Sequence, residues 1–307
     1  MWGVKMKNYM VFDIGGSSVK WSVMNDNAEF VENGSFKTQK DKESFFNEII
    51  DVTNKMKEKH GVQGVAISSP GAVDPDTSIV GGISAISYIH GPNFREIIKN
   101  GTGLNSEIEN DANCAALGEC WVGSGRDNKD LAFVVCGSGI GGAIVKDKKV
   151  HSGIHKHGGE FGYNIVDLIF ENGEVKCNTW SQNGSTIHLA NKVAERKGLE
   201  AGSLNGLDVF KLCEEKDKIA LEEVDKYYYT MAIGIYNIQY TFDPEVIVLG
   251  GAISDREDYI EQIDSRLEEL MKKGILQGKV KPCIKKCQYG NDANKLGALY
   301  NYLQRNN

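Results

Sequence analysis

Two stretches of the chain share one plan. Tyr9–Met24 and Leu131–Val145 each set a short Gly- and Ser-rich turn between two β-rich apolar runs, which reads as a hairpin in both places. The turns lie roughly 123 residues apart, an offset that points to a duplicated fold. The intervening pattern is alternating. Phe45, Ile49, Val52 and Met56 recur at helical spacing and Gly61 stands where that helix should stop. Val62–Ser68 reads as a buried strand turning at Ser69-Pro70-Gly71, and Ser106–Glu109 as the end of another, after which Asn110-Asp111 opens an Ala-rich helix through Glu119. Beyond the second hairpin, Leu221–Phe242 is helical and ends at Asp243-Pro244, followed by a strand at Val246–Leu249. Tyr259, Ile263, Leu267 and Leu270 predict a helix ending at Gly274, and Asp292–Leu303 the last one. Strands alternating with helices in two related halves imply α/β layers.

Composition narrows the function classes. At 307 residues the chain suits two lobes, and 41% hydrophobic with 25% charged residues is ample for a core. Thirty-five Gly against five Pro favours tight turns and close backbone approaches over a flexible linker. With 35 basic and 42 acidic residues the net charge is −7, and without a basic block nucleic acid is not an expected partner. The seven Cys show no paired C-x-x-C spacing, which suggests neither a disulfide framework nor a ribbon-type zinc site and fits a reducing compartment. No segment approaches the ~20 apolar residues of a membrane span. A cytoplasmic, enzyme-sized protein is expected.

The Gly-rich turns carry the chemistry. Gly137-x-Gly139-x-x-Gly142 formally matches a dinucleotide fingerprint, but Ala143-Ile-Val145 continues as a strand where that motif needs a helix. A phosphate-binding loop of the G-x-x-x-x-G-K-[ST] type is absent from the sequence. Two such hairpins can instead aim backbone N–H groups and the hydroxyls of Ser17, Ser18 and Ser138 at anionic oxygens, because Gly lets the backbone approach closely. Either turn alone reads first as a plain tight hairpin, and it is the pair, with Asp13 at one of them, that points to phosphate. Asp13, beside the first, would repel phosphates unless a cation lay between, so it is the natural Mg²⁺ partner, directly or through water.

These residues resemble the ROK family of sugar kinases. Asp13-Ile-Gly-Gly-Ser-Ser-Val-Lys20 resembles its first phosphate motif, and Ser69–Pro75, Ile108–Asn113, Cys136–Gly142, Gly159-Glu-Phe-Gly162 and Leu249-Gly-Gly-Ala252 follow in the family's order almost end to end. The resemblance implies a two-lobed actin-like ATPase (ribonuclease H-like) α/β fold, with duplicated βββαβα lobes around a cleft. Residues 1–117 with 292–307 would form an N-terminal lobe for phosphate and sugar. Residues 118–291 would form a C-terminal lobe for nucleotide and dimerisation. It further implies that Asp111 is the base accepting a proton from the sugar hydroxyl, with Asn110, Glu160, Asn93 and Gly71 as sugar contacts. Gly15, Gly16, Ser17, Lys20, Gly137, Ser138 and Gly139 would hold the ATP phosphates, Asp13 the Mg²⁺, and Gly250 and Gly251 would line the nucleoside. Plainer roles stand beside these. Asn110 and Asp111 are preferred helix N-caps, Asn93 suits a Pro-Asn turn, and Lys20 suits solvent.

The chain also departs from the family. Tyr163 replaces a metal-ligating His, and Cys177 alone remains of a three-Cys cluster, so no structural zinc is expected. His151, His155 and His157 read as solvated residues of a Gly-rich loop. Thr179 stands where the family has a glutamate reaching the anomeric end of the sugar. A site without that carboxylate admits an aglycone, which ranks the family's β-glucoside kinases first, acting on the 6-hydroxyl of glucose in a cellobiose-type disaccharide. Glucokinase and N-acetylmannosamine kinase remain alternatives, as does a sugar sensor without turnover. The early position of Asp13 leaves no room for the DNA-binding domain of the family's repressors. By analogy a homodimer is expected, for which Tyr227-Tyr228-Tyr229 to Tyr240 offers either surface or core.

Overall fold

The structure, a computed structural model, describes residues 6–306. The chain divides into two compact units. The first runs to Arg126 and adds Lys148–His157 and the C-terminal segment from Asn291, whereas the second comprises Asp127–Asp147 and Gly158–Gly290. The first unit thus extends past the expected boundary at 117, because the helix begun at Asp111 continues to Trp121.

In the first unit β1 (Asn8–Ile14), β2 (Ser18–Asn25) and β3 (Phe30–Lys37) are antiparallel neighbours. Helix α1 (Lys42–His60) leads into β4 (Gly64–Ser69), parallel to β1 and buried at every residue. The short hairpin β5 (Ala72–Asp74) and β6 (Ile79–Gly81), then α2 (Phe94–Thr102), precede β7 (Asn105–Asn110) and α3 (Asp111–Trp121). The sheet order is β3-β2-β1-β4-β7. Local chemistry accounts for the boundaries of α1. Asp41 accepts from the Ser44 N–H at its start, and Gly61 takes the left-handed conformation at its end (φ 65°), its N–H closing onto Lys57 O. Phe45, Ile49 and Met56 of α1 join Met10, Phe12, Ile67 and Ile108 in one core. The C-terminal helix Ala293–Asn306 crosses α3 backbone to backbone, since a Cβ on Gly297 would overlap Cys114 O and one on Gly118 would overlap Ala293 O.

In the second unit β8 (Leu131–Cys136) pairs antiparallel with β9 (Ile140–Lys146), confirming a strand where a dinucleotide fold needs a helix. The strand Val246–Gly250 lies parallel to β8 and Ile284–Lys286 parallel to that strand. The order from β9 outward therefore repeats that from β2 in the first unit, which is the duplication expected from the two hairpins. Between these strands come a two-stranded hairpin, Ile165–Glu171 with Glu174–Thr179, and the helices α4 (Trp180–Gly184), α5 (Thr186–Arg196), α6 (Gly206–Glu214) and α7 (Lys218–Phe242). Helix α8 (Tyr259–Lys272) follows Val246–Gly250. Asp243 ends α7 in the left-handed conformation, ahead of Pro244. Tyr227 and Tyr228 are only 2% and 3% exposed, and the Tyr227 and Tyr259 hydroxyls bond at 2.9 Å. They are core, so of the tyrosines considered for a dimer surface Tyr240 is the half-exposed one. No helix among the described residues is long and apolar enough to cross a membrane.

Candidate active site

Asp13, the penultimate residue of β1, lies opposite Lys20 on β2 and beside Ser68 on β4. Its Oδ1 accepts from the Ser68 hydroxyl at 3.0 Å and from Asn294 Nδ2 at 3.2 Å, which leaves Oδ2 for another partner. Neither helper carried a local signal in the sequence, because Asn294 reaches Asp13 from the C-terminal helix. Lys20 is exposed, as a solvated lysine would be.

The end of β7 and the start of α3 form the second feature. The Asn110 carbonyl oxygen accepts from the N–H groups of Ala112 and Asn113, and its amide donates to Gly71 O and to Asp111 Oδ1, both at 3.0 Å. Both amide hydrogens and both lone pairs are thereby engaged within the protein. Asn110 is thus both a cap and a clasp in this arrangement. Gly71 presents its carbonyl from a φ of 100°, where a Cβ would lie 2.8 Å from Val80 Cγ1, so only Gly fits. Asp111 Oδ1 also accepts the Ala112 N–H at 2.9 Å, and among the described residues Oδ2 is left unengaged. Burial raises the Asp111 carboxyl above the ordinary Asp range, and the charge of Asp13 adds to this, against the Ala112 N–H and Asn110 amide. A raised carboxyl with one free oxygen is suited to taking a proton. Behind it, the buried Glu109 accepts from the Asn110 N–H at 2.7 Å and from Asn113 Nδ2 at 2.9 Å. The Asn93 side chain caps α2 through the Glu96 N–H.

Both Gly-rich turns solve the same problem. In the first, the Gly15 N–H closes the turn onto Ser18 O and the Thr38 hydroxyl donates to Gly15 O. In the second, the Gly137 N–H closes onto Gly139 O, and Thr186 donates to Gly137 O through both its N–H and its hydroxyl. Gly15 and Gly137 therefore shape the turns. Among the described residues the N–H groups of Gly16 and Ser17, and of Ser138 and Gly139, remain available at the tips. Two adjacent amides at an exposed tip make a small anion-binding concavity.

Gly250 and Gly251 continue the strand Val246–Gly250 beside the second turn. A Cβ on Gly251, whose φ is 92°, would overlap the Cys136 carbonyl, and one on Gly250 would lie 2.8 Å from Phe133 Cζ. Glu160 is exposed at the start of a single turn of 3-10 helix, Phe161–Tyr163. Gly159 and Gly162 press this segment onto β9, since Cβ atoms there would collide with Ala143 and with the Ile140 carbonyl. Thr179 accepts from the Gln182 N–H while Gln182 returns a bond to the Thr179 N–H, a capping box opening α4. Its hydroxyl is thus part of the scaffold. Tyr163, Cys177, His151, His155 and His157 are all exposed.

A sheet order repeated in the two units, with a Gly-rich hairpin turn in each, is that of an actin-like ATPase fold. The ROK family matches residues 9–305, and the chain belongs to it. The β-glucoside kinase of Listeria monocytogenes is 30% identical over 302 residues, covering 96% of this chain and 97% of that protein. The N-acetyl-D-glucosamine kinase of Aliivibrio fischeri is 29% identical over 309 residues, covering 95% and 98%. Among solved structures, a ROK family protein from Streptococcus pneumoniae in complex with sucrose matches with a TM-score of 0.87 at 32% identity, covering 97% of this chain and 98% of that one. This chain is a sugar kinase.

Proposed function

We propose that the protein transfers the γ-phosphoryl group of ATP to the 6-hydroxyl of a glucose unit in a β-glucoside such as cellobiose. The kinase chemistry rests on Asp111, held by one oxygen and open at the other. With Oδ1 fixed by Asn110 and Ala112, Oδ2 receives the proton as the sugar hydroxyl attacks, and the burial that raises this carboxyl makes it a stronger base than an exposed aspartate. The tip N–H groups of Gly16, Ser17, Ser138 and Gly139 stabilise charge spreading over the phosphates without reorganising. Asp13 fits Mg²⁺, a hard cation that takes one or two carboxylates plus phosphate and water oxygens, through its Oδ2. When bound, that ion neutralises phosphate charge. Glu160 accepts a sugar hydroxyl, and Gly250 and Gly251 line the nucleoside.

The β-glucoside preference rests on Thr179. Its side chain is engaged in a capping box where the family carries an anomeric-side glutamate, so a free anomeric hydroxyl meets no carboxylate from this position. The similarity to the Listeria β-glucoside kinase supports the same preference. A second reading, phosphorylation of N-acetyl-D-glucosamine, is favoured by the Aliivibrio relative. An ADP-coupled assay with Mg-ATP over cellobiose, gentiobiose, methyl β-glucoside, glucose, N-acetylglucosamine and N-acetylmannosamine separates them. Higher kcat/KM for the glucosides supports the first reading, and higher kcat/KM for N-acetylglucosamine replaces it with the second.

A further inference from the structure

Residues 180–186 of the second unit touch two features that the catalytic reading treats separately. On one side, the Trp180 N–H donates at 2.7 Å to Asn164 O, which follows the turn of helix that Glu160 begins. On the other, Ser181 Oγ accepts from the Ile140 N–H at 3.0 Å and donates to the Ile140 carbonyl at 3.1 Å. Ile140 directly follows the turn Gly137-Ser138-Gly139. Gly162 lies against the same pair, since a Cβ there would overlap both Ile140 O and Ser181 Oγ. Thr186 then grips the opposite end of the turn, donating to Gly137 O from its N–H at 3.3 Å and its hydroxyl at 3.0 Å.

Both flanks of Ser138-Gly139 are therefore held by one short segment. That segment is itself anchored. Trp180 is fully buried, and α7 approaches so closely that a Cβ on Gly234 would overlap its indole ring, while the Thr179 capping box fixes the beginning of α4. A tip whose two N–H groups make no bond among the described residues has no ladder to fix it. Its geometry depends on what holds the residues on either side.

We propose that residues 180–186 form a strut that sets the phosphate turn against the Glu160 segment, with Ser181 and Thr186 as its positioning residues. This rests on reading Gly137–Gly139 as a phosphate cradle and Glu160 as a sugar ligand. A shift of the Glu160 segment on sugar binding is passed from Gly162 through Ser181 to Ile140, so sugar and nucleotide affinities are linked, and the linkage is reciprocal.

The test is calorimetric titration of a non-hydrolysable Mg-ATP analogue, with and without the sugar that the wild type turns over best, combined with steady-state kinetics. Wild type binds the analogue more tightly with sugar present. Thr186→Val and Ser181→Ala lose that tightening and weaken analogue binding without sugar by roughly 10-fold, while sugar binding without nucleotide stays within about twofold of wild type. Thr186→Ser keeps the hydroxyl and restores wild-type behaviour. Unchanged nucleotide affinity and tightening in both variants overturns the proposal. So does an equal weakening of sugar binding without nucleotide together with a lowered Tm, which marks general loosening, or a failure of Thr186→Ser to rescue. A wild type that binds no analogue overturns the cradle reading and the strut together. One that binds the analogue but phosphorylates no sugar refutes the kinase reading alone, and weaker analogue binding in the two variants still decides whether Ser181 and Thr186 hold the turn.

Discussion

The Asn110 side-chain amide donates to Asp111 Oδ1 at 3.0 Å, while the carbonyl oxygen of the same side chain caps the helix that Asp111 begins. One residue thus secures the helix end and fixes which oxygen of Asp111, the proposed base, is engaged. Asn110→Ala should cost about 1 kcal/mol of stability through the lost cap. It should also lower kcat by roughly 10-fold or more as Asp111 loses its fixed orientation, with a smaller change in sugar KM. Steady-state kinetics check this, because a direct sugar ligand would mainly raise KM.

Glu109 gives a pH-dependent prediction. Burial raises its carboxyl above the ordinary value of 4.5, so the folded state binds more protons than the unfolded one in the window between the two values. Stability therefore falls as pH rises through that window. Glu109→Gln keeps an acceptor for the Asn110 N–H and removes the charge. The variant should have a higher Tm than wild type at pH 7 to 8, with the advantage disappearing below about pH 4.5. Thermal unfolding across this range measures it, and an equal Tm difference at all pH values contradicts it.

Gly251 offers a structural test of the nucleotide-side scaffold. Its φ of 92° and the overlap that any Cβ would make with Cys136 O leave Ala strained twice over. Gly251→Ala should destabilise the protein by about 2–4 kcal/mol in urea unfolding. Gly61→Ala, with φ of 65° and open space around it, should cost only about 1 kcal/mol.

Thr179→Glu would place a carboxylate at the position proposed to face the anomeric side of the sugar. It should lower kcat/KM for methyl β-glucoside relative to glucose by roughly 10-fold, from a changed contact of about 1–3 kcal/mol. The capping box would be lost as well, so a Tm lower by a few degrees is expected. An unchanged substrate ratio would remove Thr179 from the account of specificity.

Much of this site was legible because its signals are local. Both hairpins, the cap at Asn110-Asp111 and the turn at Ser69-Pro70-Gly71 join neighbouring residues, and period, Gly content and capping chemistry announce them. The supporting contacts are not local. Asn294 meets Asp13 from the other end of the chain, Thr38 holds Gly15 from the far end of β3, and Ser181 and Thr186 hold the second turn from beyond a hairpin. Nothing in the period or spacing of those residues distinguishes them from ordinary Ser, Thr or Asn. The tyrosines of α7 illustrate another limit. An aromatic run suits surface or core, and only packing against Tyr259 and Cys136 assigns Tyr227 to the core.

The most direct measurement is the ADP-coupled assay of wild type beside Asp111→Asn over the panel of glucosides and free hexoses. The account predicts Mg-ATP-dependent turnover by wild type, fastest with β-glucosides. It also predicts a kcat for Asp111→Asn lower by roughly 10²–10⁴-fold, with sugar KM little changed. Substantial turnover by Asp111→Asn would contradict Asp111 as the base, and silence of the wild type with sugar binding intact would make the protein a sensor.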